Sequence, residues 1–169
     1  MYFEVVSQCV ATLRQIDGWF DKAESQAAAK KFDVDILASA TLAPDMKGLS
    51  YQVQSACDYV KSAAGWLSGE TPPRHEDFER TIAELRERVR KTVAFAEGVT
   101  KDRYADAAGR KVRLSWAPGK VFPAEDYLLQ MTIPNVYFHL SMVYAILRNN
   151  GVDVGKMDFL GKLRLIDEA

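Results

Sequence analysis

Four separate stretches of this chain repeat apolar residues at the spacing of an α-helix, and each stripe needs another surface to cover it. The first runs from residue 3 to about residue 30, with Val6, Val10, Leu13, Ile16 and Phe20 in register and an alanine-rich continuation, AESQAAAKK. The second runs from about Gly48 to Leu67 and carries Leu49, Val53, Ala56, Val60, Ala63 and Leu67. The third, from about Glu76 to Glu97, carries Phe78, Ile82, Leu85, Val89, Val93 and Ala96. The fourth runs from about Ala124 to Asn149. Residues three and four apart share a helix face, so these are amphipathic helices. Four such faces are buried together most simply in a four-helix bundle, and an all-α fold is expected.

The punctuation agrees. Gly69 suits a C-terminal cap and Pro72-Pro73 forbids continuation of the second helix. Pro134 lies inside the fourth helix, where it removes a backbone donor and should bend the axis. Asn149-Asn150-Gly151 stops that helix. Phe32 to Met46 contains Pro44 and no sustained period, and reads as loop with at most a short turn. In GRKVRLSWAPGKVFPAE, Val112, Leu114 and Trp116 alternate, Pro118-Gly119 turns, and Val121 resumes, so a short β-ribbon or extended loop should precede the last helix. Glu84/Arg88 and Glu87/Lys91 are spaced for ion pairs on the exposed face of the third helix. The long connections argue against four simple consecutive hairpins.

The 169 residues suit a single domain spanning 1–169, long enough to bury about 70% of its unfolded surface. A net charge of −1, with both signs interspersed and no basic stripe, argues against nucleic acid as a partner. The longest apolar run, VYAIL, is too short to cross a membrane, and MYFEVVSQCV lacks the pattern of a secretory signal. Cys9 and Cys57 stand far apart and outside any metal-ligand spacing, which suits buried thiols in a reducing compartment. A cytoplasmic protein with no membrane association is therefore expected.

The chemistry concentrates in IPNVYFHLSMVYAILRNNG, where Asn135 and His139 lie one turn apart on one face of the fourth helix. That spacing can hold two ligands of one metal, but only one of these residues is a histidine. A metal site, a non-metal ligand pocket and an ordinary hydrogen-bonded core all stay open. Asn135 follows Pro134, where a short amide can serve carbonyls freed by the proline. His139 titrates near neutrality and could act as acid or base. His75 reads as a solvated residue at the start of the third helix, and Asp45 as a capping or dipole-stabilising charge before the second. Nothing brings Asp45 and Asp58 together as paired carboxylates, no phosphate-binding glycine loop follows a strand, and no G-x-S-x-G is present.

The stretches LAPDMKGLSYQVQSACDYVK, FERTIAELRERVRKTV and PNVYFHLSMVYAILRNNGVDVGKMDFLG resemble an uncharacterised bacterial family, a domain of unknown function grouped with the DinB/YfiT-like four-helix bundles. The resemblance covers nearly the whole chain. It implies a DinB-like bundle and a homodimer. It also implies a site where many relatives hold a divalent metal on three histidines, one from the second helix and an H-x-x-x-H pair from the fourth. Characterised members include metal-dependent thiol transferases and a maleylpyruvate isomerase. Carried over, His139 matches the second histidine of the pair, Asn135 stands where the first would be, and Gln52 matches the third. Two of three imidazoles are thus carboxamides, whose oxygens are poor ligands for zinc or nickel.

The candidate ligand-binding residues are Gln52, Asn135, His139 and Tyr59, with Asp45, Tyr137 and Tyr144 as possible neighbours; His139 is the one candidate metal ligand. The first functional expectation is a small-ligand-binding or non-catalytic bundle without the three-histidine site and without a cofactor. The alternative is a DinB-type, zinc- or nickel-dependent transferase or isomerase acting on a thiol cofactor or small organic acid through His139.

Overall fold

The computed structural model describes residues 1–168. Helix α1 (Tyr2–Lys30) is followed by a 3-10 turn at Val34–Ser39, then α2 (Leu49–Ser68) and α3 (Ile82–Gly98). Two more 3-10 turns lead into strands β1 (Lys111–Val112) and β2 (Phe122–Pro123), which pair antiparallel with Lys111 opposite Pro123. The last long helix is built from α4 (Ala124–Asp126), a π-helical segment (Tyr127–Thr132) and α5 (Ile133–Asn149), and a short α6 (Lys156–Leu160) follows. This is a four-helix bundle with a short ribbon before its last helix, the architecture that the periodicity predicts and that the resemblance implies. No helix among the described residues is long and apolar enough to cross a membrane.

Helix α2 packs most extensively against α5 and α3, and α1 packs on α3 more than on α2. Neighbours in sequence are therefore not always neighbours in space, which the long loops permit. The predicted stripes form the core: Leu13, Ile16, Phe20, Leu49, Leu67, Leu85, Leu140 and Ile146 are fully buried. Trp19 is buried too, donates its indole N–H to the Asp158 carbonyl at 3.1 Å and stacks on Phe159, which fastens α6 onto α1. Beyond α6, Leu163, Leu165 and Ile166 stay exposed.

Helix α2 ends as expected at Gly69, whose left-handed φ of 82° suits a residue without Cβ. The Pro72-Pro73 linker then lies directly on α2: a Cβ at Gly65 would come within 2.8 Å of the Pro72 ring. Helix α3 starts later than the sequence suggests, at Ile82 rather than Glu76. Thr81 and Glu84 form a reciprocal capping box there, and Glu84 also accepts from the Arg80 amide. Residues 70–81 are instead a linker, Phe78 leaves the stripe and is 63% exposed, and His75 is half-buried rather than solvated.

Glu84, engaged at the cap, does not pair with Arg88. The guanidinium turns inward and is 98% buried: it bonds Glu79 at 3.0 Å, Asp58 at 2.8 Å and Asp77 at 3.1 Å, and donates to the Glu76 carbonyl. Glu79 is buried as well and accepts from Gln54 on α2. The cluster joins α2, α3 and the linker between them. The Glu87/Lys91 pair does form, at 3.7 Å on the exposed face.

Removing one member of a buried ion pair strands the other. Arg88→Ala is expected to cost about 3 kcal/mol or more, roughly 6–12 °C in Tm for a chain of this size. Arg88→Met combined with Glu79→Gln, which keeps an acceptor for Gln54, should recover most of that loss. Thermal unfolding followed by circular dichroism checks both, and a single variant melting with the wild type would count against the cluster's role.

Candidate functional site

Gln52 sits in the first turn of α2 and His139 in the second turn of α5, on the faces where these helices pack together. Both are more than nine-tenths buried. The Gln52 amide donates through Nε2 to the Lys47 carbonyl at 3.0 Å, at the mouth of the loop entering α2. That bond orients the amide, so Oε1 faces His139 Nδ1 at 2.8 Å. A carboxamide oxygen only accepts, and the network therefore assigns the proton to Nδ1. The lone pair of the neutral ring then resides on Nε2, the nitrogen that remains for an incoming donor, proton or metal.

Three aromatic rings frame the imidazole. Tyr59, two turns along α2 from Gln52, lies nearly parallel to it at 5.8 Å and 18°, while Tyr51 and Phe138 meet it edge-on at 6.1 and 5.2 Å. Tyr51 and Phe138 are 45% and 53% exposed, so the site lies close under the surface. Burial holds the His139 pKa below its ordinary value, keeping the ring neutral near pH 7. Burial first, then Tyr51 and Asp58, raise the Tyr59 phenol, which stays a hydroxyl donor.

Asn135 does not join this group through its amide nitrogen. It donates instead to the Met131 carbonyl at 2.7 Å, one turn back in its own helix. The cause is Pro134. The helix before it widens to π geometry, with the Ile133 amide reaching back five residues to Leu128, and the proline offers no amide hydrogen to continue the ladder. Asn135 serves a carbonyl in this disturbed turn, the local role its position after Pro134 allows.

The other expected neighbours go elsewhere. Asp45 is exposed in the loop before α2, whose N-cap is Gly48. Tyr144 packs edge-on against Trp19 and Phe159. Asp58 is held by Lys61 and Arg88. Cys57 is fully buried and its thiol is pushed up to about 12 by burial, so it is not a nucleophile near neutral pH. Sequence reasoning missed Tyr51 and Phe138. Their adjacency to Gln52 and His139 in the chain was the available signal, but alternation around a helix normally points neighbours apart.

The donor set does not fit a tetrahedral zinc or nickel centre. Among the described residues no three His, Cys, Asp or Glu side chains are placed to hold a metal ion together. One carboxamide oxygen is occupied by the imidazole and the Asn135 amide by the main chain. The arrangement suits hydrogen bonding and stacking of a polar ligand at a single neutral imidazole.

The family model described as Domain of unknown function (DUF1993) matches residues 1–160. A solved structure of a DinB family member protein from Shewanella denitrificans is 38% identical, with 98% of this chain and 95% of that one aligned at a TM-score of 0.93. No curated protein matches.

Because the folded ring resists protonation, the unfolded chain takes up a proton at His139 first. The contribution of His139 is therefore fully present above about pH 6.5 and declines as pH falls below it. Between about pH 7.5 and about pH 5, Tm should fall more steeply in the wild type than in His139→Gln; parallel slopes would count against a buried neutral imidazole. Asn135→Ala should cost about 1 kcal/mol through the lost Met131 contact, read as a shifted urea midpoint; an unshifted midpoint would mean that the carbonyl is served otherwise.

Proposed function

Because this chain belongs to the DUF1993 family and has a DinB-type bundle, we propose that it is a small-ligand-binding member in which a Gln52–His139 pair stands in place of the three-histidine metal centre. The single observation that carries this reading is the 2.8 Å bond between Gln52 Oε1 and His139 Nδ1. It uses the oxygen that would otherwise be the carboxamide's donor to a metal, and it leaves Nε2 of a neutral ring as the acceptor that this reading assigns to a ligand. Tyr59 supports the reading as a stacking wall whose hydroxyl remains protonated. A ligand held here would accept stacking from Tyr59, Tyr51 or Phe138 and donate a hydrogen bond to His139 Nε2.

The chain acts as a homodimer in this proposal. Exposed Tyr51 and Phe138 beside the site, together with Leu163, Leu165 and Ile166 in the tail, supply apolar surface for a second copy. Light scattering should return twice the chain mass; a monomer at working concentration would refute the dimer.

The test of the site pairs metal content with binding. Untagged protein, incubated with zinc or nickel, should carry no stoichiometric metal by elemental mass spectrometry. Ligand-observed NMR with a fragment library should find binders that His139→Ala loses. Near-stoichiometric metal that disappears in His139→Ala would overturn the reading and favour the metal-dependent transferase or isomerase. A library with no His139-dependent binder would overturn it as well.

A further inference from the structure

Tyr59 also lines a cavity of about 370 Å³ whose lining does not include His139. Its floor is α2, its far wall is the π-helical segment, and its roof is the loop between the two ribbon strands. Trp66, Trp116, Tyr127 and Met131 give it apolar surfaces, and Arg113 and Asp58 give it charge. The volume falls within the range of small-ligand pockets. We propose that this cavity binds a small aromatic carboxylate, with Arg113 receiving the carboxylate and Trp116 covering the ring. The proposal rests on the reading of this bundle as a small-ligand binder, but not on His139 being a contact.

Three observations select an anion with a flat apolar body. The first is charge. Asp58 Oδ1 is paired with Lys61 at 2.8 Å and with Arg88 at 2.8 Å, a guanidinium that it shares with Asp77 and Glu79. Arg113 forms no ion pair among the described residues. Arg113 is therefore the cation at the cavity without a carboxylate partner among the described residues, and its planar fork matches a carboxylate. The second is the wall chemistry. Trp66 packs tilted on Tyr127 at 5.6 Å, and Phe122 of β2 closes on Tyr127 behind it, which fixes an aromatic wall. A flat ring gains from stacking there. The third is the roof. Trp116 is 65% exposed and touches Phe122 only edge-on at 6.5 Å. An indole so little buried in its own fold has surface to cover a ligand, and it sits on the same loop as the cation.

Isothermal titration calorimetry on the full chain tests this with benzoate, phenylacetate and indole-3-acetate, against neutral benzamide and cationic benzylamine. At least one acid should bind with a Kd below about 1 mM, and benzamide and benzylamine should bind at least about tenfold more weakly. Arg113→Gln should weaken the acid about tenfold or more, and Trp116→Ala should weaken it severalfold. Both residues are exposed in a loop, so neither variant threatens the fold. Lys120→Gln, on the same loop but outside the cavity lining, should leave binding unchanged and excludes a general charge effect. Failure of all three acids to bind, tighter binding of benzylamine, or full affinity in Arg113→Gln would each overturn the proposal. Acid binding that survives Arg113→Gln but is lost in His139→Ala would overturn the cavity assignment alone and leave the proposed function standing. Absence of acid binding alongside a fragment library with no His139-dependent binder would remove both.

Discussion

The carbonyls one turn before Pro134 cannot receive a hydrogen bond from it, because proline has no amide hydrogen. In this bundle the helix answers by widening to π geometry over Tyr127–Thr132 and by drawing the Asn135 side chain back onto Met131. Two consequences reach the candidate site. Asn135 is taken by the main chain, so His139 is left with Gln52 as its polar partner. The widened segment also places Tyr127 and Met131 along the cavity beside Tyr59. The physical chain from imino acid to the composition of the candidate site can be followed residue by residue.

The second organising feature is the buried guanidinium of Arg88. A charge so deeply covered persists only when it is paired, and Glu79, Asp58 and Asp77 pair it through its two terminal nitrogens, leaving only Nε unbonded. The same contacts pin the linker against α2 and compensate Asp58, a residue that borders the cavity. Stability and site electrostatics are thereby tied: without Arg88 and Lys61, Asp58 would repel an anion at Arg113. The buried guanidinium thus bears on the charge of the cavity from outside its lining.

Much of this was legible beforehand. Helical periodicity located four helices because burying one face leaves a 3.6-residue signature, and Gly69 and Pro72-Pro73 ended α2 where their backbone chemistry requires. Glu84 was misread, since a capping box with Thr81 and an exposed (i, i+4) ion pair use the same glutamate and only the local turn decides between them. Arg88 was misread for a related reason: a charged residue amid charged neighbours looks solvated until three carboxylates from other segments arrive around it.

By itself the sequence determined an all-α bundle, the one-turn spacing of Asn135 and His139, and the disturbance at Pro134. Those follow from residue type and spacing, which act over a turn or two of chain. Only the tertiary structure decided that Gln52 reaches His139 while Asn135 turns away, that Arg88 is interior, and that Arg113 and Trp116 roof a cavity on α2. Each of these depends on side chains brought together from distant segments, and contacts of that range are set by how the helices pack.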